Sequence, residues 1–148
     1  MPLLNYTTSI DSSKTLGEIQ CCLARHGAAQ IAIGYASGLP SAIGFVVPTR
    51  FGERAFRLPA NIDAVFKTLE VQRRRGKVQP RFATKDQAVK VAWRILKDWI
   101  EAQMAIVESG MVTMEEVMLP YLVSRAGKTV YEIMCDTQLA LPGPNGEK

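Results

Sequence analysis

The sequence has one histidine and three cysteines, so it offers few side chains that could bind a metal ion or act in catalysis. Cys21 and Cys22 are adjacent, Cys135 stands alone, and no Cys-X-X-Cys or paired-histidine motif occurs. A structural zinc site needs about four ligands of these types at close spacing, and a Ser-His-Asp arrangement needs an available histidine. We therefore expect no metal site and no cofactor, and we expect the thiols to act as small, buried hydrophobic groups.

Long apolar segments are also absent. No window approaches the roughly 18 uncharged apolar residues that a membrane-spanning helix needs. The N-terminal stretch MPLLNYTTSIDSSK lacks the charged start and the apolar centre of a secretory signal peptide. We therefore expect a cytoplasmic protein with no membrane partner. Its 148 residues are enough to bury a substantial core.

Glycine-rich phosphate loops are missing as well, because GYASGLP has the composition of a hairpin turn and no Gly-Lys-Ser/Thr follows it. The other catalytic candidates have structural interpretations. His26 is expected in the last turn of a helix, and Glu115 and Glu116 in the first turn of another, where each complements the helix dipole. The sequence therefore does not favour an enzyme, and that interpretation would gain only if His26 lined a polar pocket beside a carboxylate.

The first part of the chain contains one helix pattern and three strand patterns. Thr15 and Glu18 have capping-box spacing and predict a helix start at Thr15, and Gly27 predicts its end. Three stretches with alternating apolar residues follow: AQIAIGYA, SAIGFVV, which Pro48 should end, and RAFRL. The turn residues between them predict a three-stranded antiparallel meander.

The rest of the chain has helix caps and 3.6-residue apolar periodicity. The predicted caps are Asn61, Thr84, Thr113 and Thr129. The apolar stripe of the first of these helices ends at Leu69, and a connector of about ten residues, punctuated by Gly76 and Pro80, follows it. The longest helix is apolar on two sides, which predicts a central position, and should end at Gly110. A short helix kinked at Pro120 and a last short element complete the pattern.

Because the strands cluster before most of the helices, we predict an α+β fold. Its order is a helix, a three-stranded antiparallel meander, a helix, a long central helix and short C-terminal helical elements. Residues 1–138 should form one domain. Residues 139–148 are rich in proline and glycine and should form a disordered tail.

Positive charge is concentrated in the middle of the chain. Residues 50–100 hold thirteen Lys/Arg against five Asp/Glu, although the net charge of the whole chain is only +4. Binding to phosphates needs several cations near one backbone and little geometric precision, and arginine also forks onto phosphate oxygens. The candidate nucleic-acid contacts are Arg73, Arg74, Arg75, Lys77, Arg81, Lys85, Lys90 and Arg94. A solvated basic loop would show the same charge pattern.

The order helix–strand–strand–strand–helix resembles the double-stranded RNA-binding domain and the core of single-strand annealing recombinases. TKDQAVKVAWRIL, residues 84–96, is similar to the last helix of the RNA-binding domain, where lysines at the helix start meet phosphates. This resemblance assigns that role to Lys85 and Lys90. TLGEIQ, FRLPANIDAV and AWRILKDWIEAQMAIVESGMVTMEEVMLPYL resemble segments of small proteins of bacteriophages and mobile elements, a family without an assigned activity.

Two hypotheses follow. The first is a nucleic-acid-binding protein, in keeping with a role in phage or mobile-element DNA metabolism, with the type and strandedness of the polymer open. The second is an interaction protein that captures a host protein or a small anionic ligand, as a homo-oligomer packed through small residues on one strand face. Those residues are Ala32, Gly34, Ala36, Ala42 and Gly44.

Overall fold

Residues 1–139, described here by a computed structural model, form helices and strands in the predicted order. The elements are α1 (Ser12–Arg25), β1 (Gln30–Ala36), β2 (Leu39–Thr49), β3 (Gly52–Pro59), α2 (Ile62–Arg74), α3 (Lys85–Glu108), α4 (Met114–Val117) and α5 (Val130–Asp136). The fold is α+β. The tail prediction falls almost entirely on residues 140–148, which lie outside the described part. Within residues 1–139, no helix has the length and apolar character required to cross a bilayer.

Helix α1 begins at Ser12, earlier than predicted. Asp11 is its N-cap and accepts a hydrogen bond from the Ser13 N–H (3.4 Å). Thr15 therefore lies inside the helix, fully buried, and its hydroxyl donates to the Asp11 carbonyl (3.4 Å). An aspartate caps a helix as well as a threonine does, so the earlier start loses nothing locally. Gly27, with φ of +98°, follows the end of α1 as predicted.

The three strands form one antiparallel sheet in the order β1–β2–β3. Ser37 and Gly38 both have positive φ, which gives the two-residue turn between β1 and β2 the twist that a tight hairpin needs. Strand β2 continues through Pro48 to Thr49, beyond its predicted end. Proline is tolerated there because the strand ends one residue later, so few ladder hydrogen bonds remain to be lost.

The sheet has one buried and one open face. The buried face carries the side chains of Ile31, Ile33, Ile43, Phe45, Val47, Phe56 and Leu58, which belong to the core or pack against it. Phe45 and Phe56 are cross-strand partners with ring centroids 5.6 Å apart. The open face carries small residues, of which Ala32, Gly34 and Ala36 of β1 are exposed. The alternation of large apolar and small side chains along the strands therefore determines which face of the sheet packs against the helices.

Helix α3 is the central element, as its two-sided apolar pattern predicts. It packs against both α1 and α2. Trp93 is completely buried, and its indole N–H donates to the Pro40 carbonyl of β2 (3.1 Å), which ties the helix to the sheet. Helices α1 and α2 and the sheet therefore all meet along α3. The position of α3 determines where the polar side chains of these elements lie.

The C-terminal elements begin with the two predicted capping boxes, at Thr113 and Thr129, and both are present. The helix after Thr113 is shorter than predicted, because α4 ends at Val117 and a single 3₁₀ turn, Leu119–Tyr121, follows. Pro120 has no backbone N–H and cannot continue the hydrogen bonds of an α-helix, so the helix ends before it instead of continuing with a kink. It then runs beside β3, where the Val123 N–H donates to the Ala55 carbonyl (2.9 Å).

Candidate nucleic-acid interface

The candidate basic residues begin on a helix and not in a connector. Helix α2 extends past Leu69 to Arg74, so Arg73 and Arg74 are helical and Arg75 is the C-cap. Gly76, with φ of +72°, reverses the chain. The Lys77 N–H donates to the Gln72 carbonyl (2.8 Å) and the Gly76 N–H to the Arg73 carbonyl (2.9 Å), which is the hydrogen-bond pattern of a Schellman motif. The predicted connector is therefore shorter, and its start is an ordered helix end.

The chain after this helix end is anchored on both sides. Val78 is buried in the core. The Leu3 N–H donates to the Gln72 side-chain carbonyl (2.9 Å). The rings of Tyr6 and Phe82 meet edge to face with centroids 5.6 Å apart. These contacts fix the backbone that carries the basic residues, and two of them come from the N-terminal segment, which no local pattern connects with this region.

Four of the eight candidates lie together at this helix end, and we call them the α2 basic end: Arg73, Arg74, Arg75 and Lys77. All four are exposed. None of the ion pairs within residues 1–139 includes any of them. Their backbone position also allows a structural role, because cations in the last turn of a helix interact favourably with its dipole. That role leaves the guanidinium groups themselves exposed to solvent.

Two other candidates have partners of their own, and one of them, Lys85, lies at the opposite end of α2 from the α2 basic end. Arg81 donates from Nε to the Gln79 side-chain oxygen (3.0 Å), and its guanidinium lies 4.6 Å from the centre of the Phe82 ring. Lys85 contacts Asp63 of α2 at 3.3 Å, and both side chains are exposed. An exposed pair of this kind is worth about 0–1 kcal/mol, so Lys85 can exchange its partner at low cost.

Arg94 joins helix α3 to helix α1 through an ion pair. Its guanidinium donates to Glu18 (2.8 Å) and to the Thr15 hydroxyl (3.3 Å) of α1, and its side chain is only 16% exposed. The hydrogen bond from Arg94 lowers the pKa of Glu18 below its usual value. Lys97 also contacts Glu18 (3.7 Å) and pairs with Glu101 (2.9 Å). Lys90 is half-buried one turn before Arg94 and forms no ion pair within residues 1–139.

The arginines of the sheet belong to a different part of the molecule. Arg50, beside the β2–β3 turn, contacts Glu115 at 3.6 Å, beyond the C-terminal end of α3. Lys85 stands at the N-terminal end of α3. The 24 residues of this helix span about 36 Å. Arg57 pairs with Glu132 of α5 at 2.9 Å. The arginines of the sheet therefore pair with the C-terminal elements, and Arg50 lies toward the opposite end of α3 from Lys85.

Sequence reasoning missed one candidate. Lys67 is exposed, forms no ion pair within the described part of the chain, and precedes Arg74 by seven residues on α2. Residues two turns apart share one face of a helix. The i, i+7 spacing was the available signal, but the end of the apolar stripe at Leu69 made the arginines look like loop residues.

The alternative sites gain little. His26 Nδ1 donates to the Cys22 carbonyl (2.8 Å), and Nε2 lies 3.4 Å from a Glu108 oxygen. A carboxylate is thus beside it, but His26 lines none of the pockets described in residues 1–139. The prediction of buried thiols holds for Cys22 and is wrong for Cys21 and Cys135, which are exposed. Residues 1–139 contain no cluster of three or more metal-ligating side chains.

Comparison of the chain with protein-family models, with curated proteins and with solved structures finds no match.

Proposed function

We propose that this protein binds nucleic acid by contacting phosphates through the α2 basic end. The observation that carries the proposal is that four exposed cations stand on an ordered helix end with no carboxylate partner in the described part of the chain. Compensated cations such as Arg94 must give up a partner before they can bind a phosphate. The α2 basic end has no such competitor, so the attraction for a polyanion is not offset.

The geometry favours contact with the backbone rather than with base edges. Arg73, Arg74 and Arg75 are consecutive, so they point in different directions around the helix end. Such a set can neutralise phosphates along one strand but does not present two side chains to one base pair. We therefore expect weak dependence on nucleotide sequence and strong dependence on salt. A role in phage or mobile-element DNA metabolism would be consistent with the family resemblance.

The test compares two matched triple variants. One replaces Arg73, Arg74 and Arg75 by glutamine. The other replaces Arg25, Arg54 and Arg125, three exposed arginines that form no ion pair within residues 1–139. Both variants lose the same net charge, so any difference between them reports the place and not the amount of charge. Affinity for single- and double-stranded DNA and RNA of mixed sequence is measured at several salt concentrations.

The first variant should bind at least about tenfold more weakly at low salt, and its slope of log affinity against log salt should be about 3 units shallower. The second variant should resemble the unmodified protein. Equal losses in both variants would mean that only net charge matters, and absence of binding at low salt would overturn the proposal. A titration with an acidic polypeptide distinguishes capture of a protein partner. Binding to it as tight as to nucleic acid would favour the interaction-protein hypothesis.

A further inference from the structure

The two edges of the sheet differ. The outer edge of β3 is covered at its middle, because Phe56 forms a bridge with Leu122 and the Val123 N–H donates to the Ala55 carbonyl. The outer edge of β1 is open. Strand β1 pairs only with β2, and within residues 1–139 no other backbone or side-chain hydrogen bond reaches its residues. Alternate residues of β1, whose backbone N–H and C=O groups point away from β2, therefore present donors and acceptors that only another extended chain can satisfy in a regular ladder.

The open edge lacks most of the features that normally prevent strands from pairing. Exposed edge strands are usually short, carry lysine, proline or an inward-pointing charge, or are twisted away by a β-bulge. Strand β1, with the sequence QIAIGYA, carries no charge and no proline, and its pairing with β2 has one shift in register, between Gly34 and Tyr35. Residues 27–49, which include both β1 and β2, contain no Asp, Glu, Lys or Arg. A sheet face exposed to water usually alternates toward polar residues, but here the exposed residues of β1 on that face are Gln30, Ala32, Gly34 and Ala36, of which only Gln30 is polar.

A groove runs beside this edge on the helix side of the sheet. It has a volume of about 320 Å³ and is lined by residues of α1, by Ile33, Tyr35 and Pro40, and by no charged residue. Tyr35 is 64% exposed. Gly17 of α1 lines the groove, and a methyl group there would meet no atom within 4 Å. Glycine is unfavourable inside a helix, and the packing of the single chain gives no reason for it.

We propose that two copies of this chain pair through β1 in antiparallel fashion, about a two-fold axis at Ile33, and form one six-stranded sheet. Pairing centred on Ile33 places Ala32 opposite Gly34 of the other copy and Ile31 opposite Tyr35. All seven residues of β1 are then paired. Because each residue meets one of the same parity, the helices of both copies lie on the same side of the sheet. Tyr35 then packs against an isoleucine, and the two α1 helices approach each other at Gly17.

A second copy fits this edge for two reasons. The protein carries a net charge of +4, which opposes self-association, but residues 27–49 are uncharged, so pairing through the hairpin brings no like charges of these residues together. Second, β1 is the one edge of the described sheet with which no other segment pairs. Pairing through it is isologous and closes at the dimer, whereas two open edges would continue into a filament. The proposal does not depend on nucleic-acid binding, because the α2 basic end contributes no residue to this edge.

Sedimentation equilibrium of the full chain without nucleic acid, over about a hundredfold range of concentration, tests the proposal. We expect a monomer–dimer equilibrium with no larger species. Ala32→Lys should weaken the dimer severalfold, because the two new lysines would lie diagonally, about 7–8 Å apart. Ala64→Lys, an exposed alanine of α2, adds the same charge away from the edge and should leave the dimer unchanged. A monomer at all concentrations, or a dimer that Ala32→Lys leaves intact, would overturn the proposal.

Two further measurements separate edge pairing from a general loss of folding. Gly17→Ala should raise the melting temperature of the dilute monomer, because alanine favours the helix, and should also weaken the dimer by crowding the approach of the α1 helices. If Gly17 had only a structural role in the monomer, the substitution would not both raise the melting temperature and weaken the dimer. Amide hydrogens of β1 should exchange more slowly as the dimer forms, and this protection should disappear in Ala32→Lys. Unchanged exchange in β1 on dimerisation would place the interface elsewhere.

Discussion

Two regions of the molecule are rich in cationic side chains but hold them in opposite ways. Between α1 and α3, Arg94 and Lys97 face Glu18 and Glu101, and their side chains are only 16% and 13% exposed. At the α2 basic end, Arg73, Arg74, Arg75 and Lys77 are exposed and form no ion pair within the described residues. The first region uses positive charge to join two helices. The second region leaves it available.

The difference follows from where α3 places its side chains. One face of α3 lies against α1, so a cation on that face needs an anion opposite it, since an unpaired charge taken out of water is costly. The end of α2 projects into solvent, where like charges are screened and repel only weakly. Cations at this end are tolerated by the fold without compensation, and the helix dipole favours them slightly. Only such cations are free to meet a polyanion.

The largest expected effect comes from breaking the compensated region. Arg94→Gln removes two hydrogen bonds and leaves Glu18 with only the more distant Lys97. We expect the free energy of unfolding, measured by urea denaturation, to fall by about 1–2 kcal/mol. Arg74→Gln is the matched control, with an expected loss below about 1 kcal/mol from the helix dipole alone. Equal losses in the two variants would contradict the distinction between the two regions.

The same variant changes the pH dependence of stability. Because Arg94 lowers the pKa of Glu18 in the folded state, the ionised carboxylate stabilises the fold at pH values above its ordinary pKa of about 4.3. This contribution is lost as the pH falls through the lowered folded-state pKa. The difference in unfolding free energy between the unmodified protein and Arg94→Gln should therefore shrink below about pH 4. A difference that stays constant down to pH 2 would exclude Glu18 as the titrating partner.

An effect no larger than this is expected from distorting the α2 basic end. Gly76→Ala forces a Cβ onto a residue with φ of +72° that has open space around it, and should cost about 1–2 kcal/mol from the backbone alone. Gly127→Ala is the matched control, with φ of +84° and no neighbour within 4 Å. Both variants should lose similar stability, but only Gly76→Ala should also weaken nucleic-acid binding. If both retain full affinity, the ordered helix end is not needed for binding.

The smallest effect concerns Lys85, which is exposed like the cations of the α2 basic end but forms an ion pair as Arg94 does. Asp63→Asn releases Lys85 from an exposed ion pair and should change the free energy of unfolding by no more than about 0.5 kcal/mol. Nucleic-acid affinity should rise severalfold if Lys85 belongs to the binding surface. Asp136→Asn releases Lys128 in the same way, from an exposed pair at 2.7 Å in the C-terminal part. Equal gains in both variants would show that Lys85 has no special position.

The helix caps show how far local sequence reaches. Asn61, Thr84, Thr113 and Thr129 each cap a helix as predicted, because a cap depends on atoms within three residues of it. Thr15 is the exception. Its spacing with Glu18 matches a capping box, yet Asp11 takes the cap, and Thr15 and Glu18 both bind Arg94 instead. A partner 79 residues away in the chain leaves no trace in local spacing.

The candidate site was predictable in part for the same reason. The run of three arginines and its position after an apolar stripe are visible in the sequence, and the α2 basic end contains all three. Arg94 looks equally available in the sequence, because its neighbours along the helix do not reveal what lies opposite them. The support of the site by Leu3 and Tyr6 was likewise hidden, since the N-terminal segment reaches α2 and Phe82 only after the chain has folded.

The sequence by itself determined the α+β order of elements, the face of each strand that is buried and the concentration of positive charge in the middle of the chain. These depend on periodicity, capping and composition, which act over a few residues. Only the tertiary structure decided which cations are compensated and which are exposed, and which edge of the sheet is covered. Those outcomes depend on contacts between residues far apart in the chain, because the free energy of a charge or of a backbone hydrogen-bonding group depends on what lies across from it.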